Sequence, residues 1–139
     1  MKNIQFIKES LKNLKEVGTI FPSSEFVVEK MVSPINFEKK LTILELGSGN
    51  GVITKKLLEK MNCDSQLVCF EINKKFYQGL NKINNEKMIL INKSAEKMKS
   101  YLNEFDIEKV DYIVSSLPLV SLPKETTNKI LSNSCFNGC

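Results

Sequence analysis

The chain has 139 residues, 42% of them hydrophobic and 26% charged, which suits one domain with one core and excludes disordered and collagenous classes. All 20 basic residues are Lys, set against 16 acids for a net charge of +4, and His and Trp are absent. Without Arg there is no planar fork for bidentate phosphate or guanine contacts, and without His both Cys/His zinc sites and His-based triads are excluded.

In chain order, Ile4, Ile7, Leu11 and Leu14 fall on one stripe and predict a helix over residues 3–16, with Lys8, Lys12 and Lys15 clustered beside it. Phe26, Val27, Met31 and Val32 predict a second helix over 24–32, opened by Pro22 and the cap candidates Ser23 and Ser24, and closed before Pro34. Four short apolar runs then follow: LTILEL (41–46), QLVCFE (66–71), KMILIN (87–92) and VDYIVSSL (110–117). Helical patterns alternate with them, over 51–61, after the N-cap candidate Asn73, and over 95–105, with another after Pro123 to about residue 131. This alternation is that of βαβ units and predicts a mainly parallel sheet between helical layers, an α/β Rossmann-like sandwich. The expected organisation is an N-terminal helical segment, 1–36, followed by a Rossmann-like domain, 37–139.

Gly47, Gly49 and Gly51 stand directly after the first strand and directly before a helix, so the backbone there turns sharply and meets a ligand with no Cβ in the way. The dinucleotide pattern G-x-G-x-x-G requires a sixth-position glycine, where this chain has Val52; the spacing is instead E-x-G-x-G-x-G, led by Glu45. A second acid, Glu71, ends the next strand, where a carboxylate accepts both ribose hydroxyls of a nucleoside. A nucleoside without a pyrophosphate is the ligand this spacing suits.

ELGSGNG resembles motif I of the class I S-adenosylmethionine-dependent methyltransferases. More narrowly, FIKESLKNLKEVGTIFPSSEFVVEKMVSPINFEKKLTILELGSGNGVITKKLL, with the later VDYIVSSLPLVSLPKETTNKIL, is similar to the bacterial phospholipid N-methyltransferases, relatives of the rRNA adenine dimethylases. The likeness runs from about residue 5 to 132. It implies a seven-stranded sheet and S-adenosyl-L-methionine as cofactor, with Gly47, Gly49 and Gly51 at the methionine end and Glu71 on the ribose. Glu45, Ser48, Ile72, Ser94, Ala95 and Ser115 complete the implied cofactor set. The family's acid after strand three is replaced by Ser94, followed by Ala95 and Glu96.

SSLPL, 115–119, stands where relatives carry an Asn/Asp-Pro-Pro-aromatic motif, which makes Ser116, Leu117 and Pro118 the implied acceptor-binding, catalytic segment. Leu119 replaces the aromatic, so a nucleobase would lack its stacking partner, whereas a lipid amine needs none. Past about residue 131 the family continues through K-P-G-G into further strands, but this chain reads SNSCFNGC. The expectation is therefore a C-terminally truncated member whose strand 110–117 is a bare sheet edge.

Methyl transfer from a sulfonium is an in-line displacement that needs positioning and acceptor dipoles more than a nucleophile. Carbonyls of Ser115 to Leu117, the Ser116 hydroxyl or water are the groups expected to orient the amine. The expected function is N-methylation of a phospholipid headgroup amine, phosphatidylethanolamine being the family's substrate. The alternatives are a truncated, non-catalytic cofactor-binding fragment and an RNA adenine N6-methyltransferase relative; with no Arg and no aromatic at Leu119, nucleic acid is the less expected partner. Phe6, Ile7 and Leu11 beside Lys8, Lys12 and Lys15 suit either peripheral membrane contact or a cover for the sheet. Cys63, Cys69, Cys135 and Cys139 form no CxxC pair, which points to a reduced cytoplasmic protein with no metal, and no apolar run is long enough to span a membrane.

Overall fold

The computed structural model describes residues 5–8, 25–117 and 122–133. The four apolar runs form strands β2 (Thr42–Leu46), β3 (Gln66–Phe70), β4 (Met88–Ile91) and β5 (Tyr112–Ser115), preceded by β1 (Gln5–Lys8). All pair in parallel, in the order β1-β5-β2-β3-β4. TILEL and QLVCF lack polar alternation because both faces of the central strands are covered: Ile43, Leu44, Leu67 and Val68 are all fully buried.

Helices α1 (Glu25–Val32), α2 (Val52–Lys60), α3 (Lys74–Asn81), α4 (Met98–Glu104) and α5 (Lys124–Asn133) connect and flank the strands, and a 3-10 turn, Ala95–Lys97, leads into α4. On one face Val28, Met31 and Val32 of α1 and Ile53, Leu57 and Leu58 of α2 pack with Ile43, Leu67 and Val114. On the other, Met98, Leu102 and Ile130 pack with Leu44, Val68, Phe70 and Ile113. These are the three layers of a Rossmann-like sandwich. Lys56 and Lys60 of α2 reach Glu29 of α1 at 3.1 and 3.5 Å, and the pair holds that carboxyl below its ordinary pKa, the Lys56 hydrogen bond contributing most.

The N-terminus departs from its sequence pattern. Residues 5–8, placed by their apolar stripe in a helix over 3–16, form an edge strand, and the rest of that stretch lies outside the described residues. The edge predicted to be bare is accordingly paired: Gln5, Phe6, Ile7 and Lys8 stand in register with Tyr112, Ile113, Val114 and Ser115. The physical reason lies in β5, where Ile113 and Val114 are fully buried on opposite faces. An unpaired strand of that kind leaves a row of backbone groups unsatisfied, and the adjacent apolar pair Phe6-Ile7 suits a ladder as well as it suits a helical stripe. Among the described residues the sheet thus has five strands, not the seven that the resemblance implies.

Candidate functional site

The turn from β2 into α2 runs over the carboxyl end of the sheet, where open parallel sheets hold their ligands. Gly47, Gly49 and Gly51 all have left-handed φ, at +76°, +55° and +85°. The first two carry distinct burdens. A Cβ on Gly47 would lie 2.7 Å from Cδ2 of Leu117, so its absence lets the segment after β5 close onto the turn. A Cβ on Gly49 would meet nothing within 4 Å, so the turn faces open space there.

Glu71 holds this turn. Its Oε2 accepts the Gly49 N–H at 2.7 Å and its Oε1 the Asn73 N–H at 2.9 Å, so one carboxylate ties the turn to the start of α3. Each oxygen keeps a further lone pair for a hydroxyl donor. The strand end beneath is braced from β4, where Asn92 Nδ2 donates to the carbonyls of Glu71 and Ile72 at 2.7 and 3.1 Å. Asn73 caps α3 as its position suggested, accepting from the N–H groups of Lys75 and Phe76. Ile72 is 68% exposed and Phe76 43%, an apolar rim beside Glu71.

Of the other sequence-selected residues, Ser115 is buried and its Oγ accepts the Leu117 N–H at 3.3 Å, while the Ser116 N–H donates to Leu46 O at 3.0 Å. The N–H groups of Ser116 and Leu117 are thus both engaged within the protein. Ser94 Oγ caps the 3-10 turn by accepting from Glu96 N–H, and Ala95 is buried in the core behind it. Pro118, Leu119, Cys135 and Cys139 lie outside the described residues.

Glu45 is fully buried beneath the turn: its Oε2 accepts from Thr54 Oγ1 at 2.7 Å and from the Cys69 thiol at 3.4 Å, while its Oε1 and Ser48 Oγ have no hydrogen-bond partner. Burial pushes the Glu45 carboxyl upward, against the pull of Thr54 and Cys69. The Cys69 thiol is pushed well up, first by burial and then by Glu45. Asn92 and Thr54 are site residues that sequence patterning passed over; the only signal for Asn92 is an amide closing the run KMILIN, 87–92.

A concavity of about 610 Å³ lies at the other end of the sheet, around Thr42, Gln66, Lys40, Cys63, Glu86 and Lys109, where the strands begin. Its mixed charge and its distance from the glycine turn set it apart from the site. Among the described residues no His, Cys, Asp or Glu side chains group in threes as metal ligands would, and no helix is long and apolar enough to cross a membrane.

The sequence profile of the ribosomal RNA adenine dimethylase family matches residues 10–136. The chain is 27% identical over 122 residues to the ornithine lipid N-methyltransferase of Singulisphaera acidiphila, a match covering 86% of this chain and 64% of that one. It is 31% identical over 125 residues to ribosomal RNA small subunit methyltransferase A of Borreliella burgdorferi, covering 84% of this chain and 41% of the relative. These curated relatives are longer, and the match spans from about two-fifths to just under two-thirds of their length. Among solved structures, a putative rRNA-methylase from Clostridium thermocellum superposes with a TM-score of 0.60 at 19% identity, over 82% of this chain and 62% of that chain, which shows a shared fold.

Proposed function

The chain belongs to the ribosomal RNA adenine dimethylase family, and from that footing we propose that it binds S-adenosylmethionine and methylates the amine of a phospholipid headgroup. The observation that carries the cofactor reading is the open space at Gly49 beside a Glu71 carboxylate with lone pairs still to offer. A nucleoside fits these residues: Glu71 would take ribose hydroxyls, the Ile72 side chain would cover a flat base, and the side-chain-free turn would admit the amino-acid end. The group supplies an electrophilic methyl on a sulfonium. The headgroup ammonium first loses a proton to water, and the protein's part is then to orient: the Ser116–Leu117 segment would do so with acceptor oxygens that take the N–H bonds of the amine and aim its lone pair.

The lipid acceptor is favoured by the similarity to an ornithine lipid N-methyltransferase, by the absence of Arg, and by the position of Lys8. Lys8 stands in register with Ser115, and Lys12 and Lys15 follow it in the sequence. Anionic headgroups are attracted to such a run by roughly 1 kcal/mol per Lys near the surface. A second reading, methylation of ribosomal RNA, is favoured by the similarity to methyltransferase A of Borreliella burgdorferi.

The test has two arms. S-adenosylhomocysteine should raise the melting midpoint of the chain and should fail to do so after Glu71→Ala; indifference of the wild-type protein to the compound sinks the cofactor reading. Labelled methyl should then pass from S-adenosylmethionine to phosphatidylethanolamine vesicles. Transfer to small-subunit ribosomal RNA and not to lipid would favour the second reading, and cofactor binding with no transfer to either would mark the chain as a cofactor-binding protein without turnover.

A further inference from the structure

Under the glycine turn lies a polar pair that the chemistry above does not use. Glu45 projects from β2 into the interior with 0% exposure, and both of its donors, Thr54 of α2 and Cys69 of β3, converge on the same oxygen, Oε2. The other oxygen, Oε1, has no partner, and neither does Ser48 Oγ, buried within the turn itself. Two orphaned polar atoms, three residues apart in one motif, are uncommon in a core, because each unmade hydrogen bond costs the full desolvation of its group.

The charge state decides whether they stay orphaned. As a carboxylate, Glu45 would place a full negative charge in the core with two neutral donors on one oxygen and none on the other, an arrangement that burial strongly disfavours. As an acid it has a proton on Oε1 to donate, and Ser48 Oγ is the neighbouring acceptor without a partner. The titratable groups that face it are Cys69 of β3 and Glu71, one residue past that strand; α2 presents Thr54 inward, while Lys55 is exposed and Lys56 pairs with Glu29. Neither Cys69 nor Glu71 brings a compensating positive charge.

We propose that Glu45 is a neutral carboxylic acid whose Oε1–H hydrogen-bonds to Ser48 Oγ, which makes it the positioning residue that locks the glycine turn from beneath. The bond forms by a side-chain rotation of Ser48 that presents an Oγ lone pair to Oε1–H; the proton stays on Glu45 and no covalent bond changes. One side chain then links α2, β3 and the turn, and since Ser48 stands between Gly47 and Gly49, it fixes where the Gly49 N–H points. Glu45 acts through the turn and does not touch the ligand. The effect on ligand binding rests on the cofactor reading above; the protonation state does not.

Burial as the first cause of the upward shift at Glu45, with the negative Glu71 adding to it, agrees with this geometry. Ser48 is close enough to ease that shift without meeting hydrogen-bond geometry in the described rotamer.

Infrared difference spectra of the full 139-residue chain at pH 7 test the proposal directly. The carbonyl stretch of a protonated carboxyl should be present in wild type, vanish in Glu45→Gln, and move to higher frequency in Ser48→Ala, where the acceptor is lost. Glu45→Gln, which keeps shape and a donor, should bind S-adenosylhomocysteine within about twofold of wild type, whereas Glu45→Ala should lose about tenfold, some 1.4 kcal/mol. Absence of the band at pH 7, or a band that Ser48→Ala leaves unmoved, overturns the proposal. Should wild type not bind S-adenosylhomocysteine at all, the methyltransferase reading fails while the spectra still decide the state of Glu45.

Discussion

Replacing Gly49 by Ala separates the energetics of folding from those of binding. At φ +55° a residue with a Cβ costs roughly 1–2 kcal/mol in the left-handed region, and the added methyl meets no atom within 4 Å, so no packing penalty joins the strain. For a domain of this size that is a fall of about 3–7 °C in the melting midpoint. Gly47→Ala incurs the same strain and also drives a methyl to 2.7 Å from Leu117 Cδ2, an overpacking worth a further ~1–3 kcal/mol unless Leu117 rotates away. In the absence of ligand, Gly49→Ala should therefore be the milder substitution. In the presence of S-adenosylhomocysteine the proposed site predicts the reverse order, because the Gly49 methyl would enter the space assigned to the ligand; the loss of affinity should reach at least about tenfold, ~1.4 kcal/mol. Differential scanning fluorimetry with and without the compound reads both quantities. A Gly49→Ala protein that binds as wild type does, or that is less stable alone than Gly47→Ala, would refute the assignment of open space to Gly49 and close packing to Gly47.

Three further outcomes are expected. Asn73→Ala removes the side-chain cap of α3 and should destabilise by about 1 kcal/mol in urea titration, leaving the backbone contact of Asn73 with Glu71 intact. Lys87→Met keeps the stem of the side chain but loses the ammonium that donates to the carbonyls of Leu58 and Met61 at the end of α2, and should cost about 1.5–3 kcal/mol by the same measurement. Since the folded pKa of Glu45 is raised above 4.5, its contribution to stability is fully present below that value and declines as pH rises through the folded pKa. The melting midpoint of wild type should consequently fall more steeply toward alkaline pH than that of Glu45→Gln, and parallel curves would contradict it.

Much of this fold is written in local patterns. The buried strands announced themselves because residues such as Ile43 and Leu44 must be apolar on both faces, and α3 because Asn73 precedes a clean helical stripe. The glycine turn and Glu71 were legible because their chemistry depends on spacing within one βαβ unit. The edge strand at residues 5–8 was not: Ile4, Ile7, Leu11 and Leu14 make a good helix in isolation, and only a strand more than a hundred residues downstream, apolar on both faces, gives Phe6 and Ile7 a better use. Glu45 was legible as an acid of the motif but not as a buried one, since its orientation depends on Thr54 and Cys69 arriving from two other elements.

The pairing of β1 with β5 also sets a timetable. Gln5 is made more than a hundred residues before its ladder partner Tyr112, and two strands so far apart in sequence close a large loop before they gain any contact. The β2-α2-β3-α3-β4 unit can assemble while the opening residues wait. Translation order thus keeps β1 waiting for β5, since no other described strand pairs with it.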